Sequence, residues 1–287
     1  MAVATGSTSQ HARNNPGAPV DPVDAATLSD CGTERANNED ACGLHVENGE
    51  GGPLALVVVA DGVSGQEGGE IASRMAVDVT VRAFCESPPS WGPARRLHRA
   101  AQQANIEIHD KALVVTELRG MSTTLTAAVV QEGMLHAVHV GDSRLYLLRD
   151  GTLVQKSKDH TVAGGRARLG LPMREKGHPD RSTLTHSLGR ELIAAIDRIS
   201  FPLTKGDVVL LCSDGLYNVL EDHELRTYIG DRAAAEACRA LLDAANARRT
   251  PDNLTAAVLR ITSETPPPPL GWRERVGRFL GAGRSSR

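Results

Sequence analysis

Aromatic residues are scarce in this chain: two Trp, three Tyr and three Phe among 287 residues. Its core must therefore be built from Val, Leu, Ile and Ala. Little remains for the stacking platforms on which proteins hold single-stranded nucleic acid. Cysteine is also sparse. Cys31, Cys42, Cys85, Cys212 and Cys238 form no CxxC or CxxH spacing, which argues against a disulfide framework or a structural zinc site. They read as small apolar residues of a reducing compartment. The longest apolar run, Leu54 to Ala60, is far too short to span a bilayer. The first residues, MAVATGSTSQHARNNPG, lack the charged and then apolar regions of a signal peptide, so a cytoplasmic location is expected. Nor is there an excess of one charge. The balance of 32 Lys and Arg against 35 Asp and Glu leaves −3, no bulk footprint for nucleic acid or an anionic membrane.

What is present is 40% hydrophobic and 23% charged residues, the composition of a soluble globular protein. Residues 1–26, rich in Ala, Thr, Ser, Asn and Pro without periodicity, read as a disordered tail. At the other end, Pro266 to Pro269 form a stiff spacer before WRERVGRFLGAGRSSR, which carries five Arg and one Glu. Residues 264–287 thus read as a Pro-rich linker and basic tail. Trp272, Val276, Phe279 and Leu280 fall at helical spacing. Two readings stand: an amphipathic helix docking on a partner or a membrane surface, or a solvated tail, which composition favours.

Between the tails, at 27–263, patterns of strand and helix alternate in blocks. Strands are expected at 41–48, 54–60, 122–130, 133–140, 143–149, 152–156, 195–201, 207–213 and 254–262. Helices are expected at 67–85, 93–115, 221–229 and 231–248, and residues 161–181 read as a long surface loop. Strands joined by short turns at Glu132-Gly133, Gly141-Asp142 and Asp150-Gly151 imply antiparallel pairing. The fold class is α+β: an antiparallel sandwich with helices on its outside.

Apolar strands repeatedly deliver an aspartate to a strand end: Asp61 in VVVADGVSG, Asp142 in HVGDSRLYLL, Asp214 in VVLLCSDGLYNVL, and Asp252 just before the strand of PDNLTAAVL. Upstream, RANNEDA supplies Arg35, Glu39 and Asp40. Any one Asp-Gly is ordinarily a turn. Their recurrence is the signal, because a sandwich gathers strand ends on one edge, and carboxylates so gathered repel unless a cation neutralises them. Oxygen ligands alone point to Mg²⁺ or Mn²⁺. A guanidinium such as that of Arg35 beside them suits phosphate oxygens. Two such cations activate water for in-line displacement at phosphorus.

The ordered series RANNED, ADGVSG, STTLTAAVV, GDSRLYLL, KDHT, LTHSLG, GDVVLLCSDGLYNVL and PDNLTAAVL resembles the metal-dependent Ser/Thr protein phosphatases of the type 2C (PPM) family, bacterial members especially. The resemblance runs from Leu28 to Thr262. It implies a four-layer α-β-β-α sandwich with a metal cleft at one edge. It also implies hydrolysis of phosphoserine and phosphothreonine by direct attack of a water held between two Mn²⁺ or Mg²⁺ ions. By the resemblance, Asp61 bridges the cations and Gly62 ligates through its carbonyl. Asp214 and Asp252 complete one cation's carboxylates, and Glu39 and Asp40 serve the other. Asp142 holds a third, weaker cation, and Arg35 contacts substrate phosphate. Asn253 orients Asp252, while Ser122, Thr123 and Thr124 brace the sheet beneath. The implied partners are phosphorylated proteins and an opposing Ser/Thr kinase.

One departure concerns the His that follows the bridging Asp-Gly in some members and is proposed to protonate the leaving group; Val63 stands there instead. His160 reads as an anchor for the loop beside the site. The 161–181 segment corresponds to a mobile flap, with Arg166, Arg168, Arg174, Lys176 and Arg181 either touching substrate or solvated. The alternative to an active enzyme is a catalytically silent regulatory or binding module of the same fold. Retention of all six acidic positions weighs against it. A metallohydrolase of small phosphoesters would use the same cleft chemistry.

Overall fold

The structure is a computed structural model that describes residues 23–49, 52–63, 68–88, 90–172, 175 and 178–263. The basic tail, Arg174 and Lys176 lie outside the described residues, as does most of the expected N-terminal tail.

Among the described residues, ten strands form two five-stranded antiparallel sheets. The first holds β2 (Asp40–Gly49), β3 (Gly52–Asp61), β4 (Leu125–Gln131), β5 (Met134–Val140) and β8 (Asp197–Pro202), in that spatial order. The second runs β1 (Val23–Asp30), β10 (Leu254–Ile261), β9 (Val208–Cys212), β6 (Arg144–Arg149) and β7 (Thr152–Gln155). The sheets pack face to face. Helices α1 (Gly69–Glu86) and α2 (Pro93–Val114) cover the outer face of the first sheet, while α4 (Asp214–Tyr217), α5 (Asp222–Ile229) and α6 (Ala234–Ala247) cover that of the second. This is the expected four-layer α+β sandwich.

A strand between two apolar layers reads as a continuous apolar run, because both of its faces are buried. In β3, Ala55, Val57 and Val59 point into the core between the sheets, while Leu56, Val58 and Ala60 point under α1 and α2. In β10, Ala257, Leu259 and Ile261 face between the sheets, and Ala256 and Val258 face the α6 side. Alanines at 72, 76, 100, 101 and 104 carry much of the helix–sheet contact, which small side chains allow without aromatic bulk.

Three local differences from the sequence reading matter. Regular structure is already present before residue 27: Val23–Asp30 is a strand, paired with β10 from Val23↔Ile261 to Asp30↔Leu254. The 161–181 segment contains a short helix, α3 (Val162–Arg168), capped where Thr161 Oγ1 accepts from the Gly164 N–H at 3.0 Å. The Gly141-Asp142 turn is not a hairpin, since β5 and β6 lie in different sheets. Gly141 makes that crossing at φ +105°, where a Cβ would stand 2.6 Å from Thr124.

Candidate metal centre

The topology gathers the predicted aspartates on one edge. Asp40 opens β2 and Asp61 closes β3 as cross-strand partners. Asp142 sits in the crossing between the sheets, Asp214 follows β9, and Asp252 precedes β10. Two aspartates therefore ride on one sheet and two on the other, with Asp142 between.

Each has a backbone reason to be where it is. The Asp61 N–H donates to Thr124 Oγ1 at 3.0 Å, and its carbonyl accepts from the Thr124 N–H at 2.8 Å and from Thr123 Oγ1 at 2.9 Å. The Val63 N–H donates to the Ser122 carbonyl at 3.0 Å. Gly62 has no room for a side chain: a Cβ would lie 2.3 Å from the Gly69 carbonyl oxygen and 2.7 Å from that of Glu39. Gly215 is as confined, its Cβ position being 2.0 Å from the Asn253 carbonyl oxygen. Tyr217 OH donates to the Asp142 carbonyl at 3.1 Å.

The electrostatics are those of crowded, buried acids. Burial, then the charges of Asp40, Asp214, Asp142 and Asp252, push the Asp61 carboxyl well above the usual range. Asp214 is pushed well above it as well, by burial and then by Asp142, Asp252 and Asp40. Burial and Asp159 raise Asp142 to about 7. Burial raises Asp40 to about 6, although hydrogen bonds from Ser213 and Thr255 oppose it. The donor set is all oxygen and crowded with like charge, which fits a hard divalent cation. Among the described residues, no three acidic, His or Cys side chains already form a coordination cluster. The fit therefore rests on donor chemistry and charge, not on preset ligand geometry.

Arg35 lies at the rim. Its Nη2 pairs with Asp252 Oδ1 at 2.9 Å and its Nε donates to the Pro251 carbonyl at 3.0 Å. The Glu39 carbonyl accepts from the Gly62 N–H at 3.0 Å, next to the start of α1. His160 takes an anchoring place: its N–H donates to the Gly141 carbonyl at 2.7 Å, and its Nδ1 accepts from the Gly141 N–H at 3.2 Å. Of the basic residues in the flap, Arg168 donates to the Asp159 carbonyl at 3.3 Å.

Several contributors had no signal in the sequence. Ser213 Oγ donates to Asp40 Oδ2 at 2.7 Å and accepts from the Thr255 N–H at 3.0 Å. Arg144 forks onto Asp159, with Nη2 2.7 Å from Oδ2, and stacks 3.6 Å over the Tyr217 ring. This ties the root of the flap to the turn that carries Asp214.

Comparison with known proteins gives the same picture. The family described as Protein phosphatase 2C matches residues 31–260. The chain is 33% identical over 242 residues to the serine/threonine phosphatase stp of Listeria welshimeri, covering 80% of this chain and 93% of that one. It is 34% identical over 239 residues to the serine/threonine protein phosphatase PstP of Mycobacterium tuberculosis, covering 81% of this chain and 44% of that one. The fold superposes on a crystal structure of the PstP catalytic domain in complex with two manganese ions, with a TM-score of 0.71 and 30% identity, over 84% of this chain and 99% of that chain. The chain belongs to the protein phosphatase 2C family.

Proposed function

We propose that this protein is a divalent-cation-dependent protein serine/threonine phosphatase. The observation that carries the reading is the set of carboxylates gathered from two sheets: Asp40 and Asp142, which are buried, and Asp61, Asp214 and Asp252, which are partly buried. Their charges oppose one another and call for cations. Asp61, with Asp214 and Asp252, would hold one Mn²⁺ or Mg²⁺, and Glu39, Asp40 and the Gly62 carbonyl would serve a second. Asp142, beside Asp214, would serve a third. Bound there, such cations supply an activated water and offset charge on the phosphoryl oxygens.

The chain's own residues do the rest. Arg35 at the rim offers a planar, permanently charged fork for two phosphate oxygens. Thr123 and Thr124 fix the Asp61 backbone, so its carboxylate does not swing as charge changes in the cleft. Val63 has no proton to give, so the leaving serine or threonine oxygen takes its proton from solvent in the cleft. The domain proposed for this work spans residues 27–263, extended to Val23 by β1.

Phosphorylated proteins are the proposed substrates and a Ser/Thr kinase the opposing activity, acting in the cytoplasm. No helix among the described residues is long and apolar enough to cross a membrane. The test is Mn²⁺- or Mg²⁺-dependent release of phosphate from a phosphothreonine peptide. Undiminished turnover in excess EDTA, or in an Asp61→Ala variant, would overturn the reading.

A further inference from the structure

We infer that Asn253 is a positioning residue that clasps the loop bearing Arg35 and Glu39 against the Asp252 turn; the inference rests on the phosphatase reading above. Its side chain is buried, and its amide oxygen and both amide hydrogens bond to that loop. Oδ1 accepts from the Glu39 N–H at 2.8 Å, and Nδ2 donates to the Cys31 carbonyl at 2.9 Å and the Asn37 carbonyl at 3.0 Å. The three contacts reach 214 to 222 residues along the chain. What Asn253 gives Asp252 is its backbone N–H, at 3.0 Å to Oδ1, beside the Arg35 guanidinium on the same oxygen. Residue 253 therefore orients Asp252 through its main chain and the Arg35 loop through its side chain.

The loop is clasped from within as well. Cys31 Sγ donates to the Arg35 carbonyl at 3.2 Å and lies 3.8 Å from Asn253 Nδ2. Gly32 runs so close to the Asp252 turn that a Cβ would sit 2.5 Å from the Asp252 carbonyl oxygen. Residues 31–39 contain no helix or strand of their own, so nothing in regular secondary structure fixes where the guanidinium points. An amide suits this position, since one acceptor and two donors in a fixed plane match one N–H and two carbonyls. Second-layer partners of this kind govern affinity by orientation.

The test compares Asn253→Ala, Cys31→Ala and Cys31→Ser with the full chain. In Asn253→Ala, amide hydrogen exchange across residues 32–39 should accelerate about tenfold, the scale of a lost hydrogen bond, while exchange in β10 stays put. KM for a phosphothreonine peptide should rise about tenfold with kcat changing less than about threefold, the mark of weakened binding. Cys31→Ala should raise KM by a smaller factor, and Cys31→Ser, which keeps a donor, should restore it. Unchanged exchange at 32–39 would overturn the inference. So would exchange that accelerates equally in β10, which would mean that Asn253 supports the sheet and not the loop. If the wild-type chain hydrolyses nothing, the phosphatase reading fails, and hydrogen exchange alone still decides the clasp.

Discussion

Ser213 and Asp40 meet from different sheets. The hydroxyl at the end of β9 donates to the carboxylate at the start of β2, at 2.7 Å, in a fully buried contact. The same oxygen accepts from the Thr255 N–H, so one hydroxyl satisfies two groups that water does not reach. Ser213→Ala takes one donor from a buried carboxylate and the acceptor from a buried N–H. Urea denaturation in EDTA should show a loss of about 2 kcal/mol. Calorimetry should show weaker Mn²⁺ binding, because an Asp40 without its donor holds its proton more firmly.

The pH dependence of stability follows from the raised acids. A carboxyl whose folded pKa lies above its unfolded one favours folding at low pH, and that contribution is lost as pH rises through the folded value. Asp40 loses it near 6 and Asp142 near 7, with Asp61 and Asp214 adding in the same sense. His139 runs the other way. Burial, then the neighbouring His160, push it down to about 4. Its contribution is complete above its ordinary value of 6.5 and is lost as pH falls from there. Above 6.5 the carboxylates therefore dominate. Without cations, stability should fall by about 1 kcal/mol from Asp142 alone on going to about pH 8.5, and further from Asp61 and Asp214. Saturating Mn²⁺ should flatten the slope. Urea midpoints at several pH values, with and without Mn²⁺, measure both.

Activity and stability should part company at Asp214. The amide of Asp214→Asn removes a buried charge among like charges. In EDTA the variant should be more stable by about 1–3 kcal/mol, and the gain should grow as pH rises and the neighbouring acids ionise. Hydrolysis of a phosphothreonine peptide should be abolished. A variant that is both active and destabilised would contradict the assigned charge balance.

Gly215 tests the packing beneath the site. Its added methyl would meet the Asn253 carbonyl at 2.0 Å, and backbone cannot swing away as a flexible side chain would. Gly215→Ala should cost about 1–3 kcal/mol and displace Asp214 and Asp252 together. A thermal melt and an activity assay read the two effects.

The layers and most strands were legible because a strand buried on both faces, such as β3, leaves an unbroken apolar run. β1 was not. Its residues are half-buried, with Ala, Thr and Ser among them, and its place depends on β10, more than 200 residues away. The crossing at Gly141-Asp142 looks like any tight turn in sequence, since nothing local says that the next strand joins the other sheet. The helix α3 hides among Gly and Arg, which carry little apolar periodicity. At the site, the aspartates announced themselves by ending apolar strands. Ser213 and the side chain of Asn253 act across chain separations of 173 and more, and no short motif encodes such a contact.

Because Asp40 and Asp61 ride on one sheet while Asp214 and Asp252 ride on the other, the width of the cleft is set by how one sheet lies on its neighbour. A sliding of the two layers, even by a fraction of a side chain, changes the spacing of all four acids at once. The apolar filling between them, from Val57 and Val59 to Leu211 and Ala257, thus serves as the gauge block of the cleft. Trimming it far from any aspartate should alter cation affinity before it alters the fold.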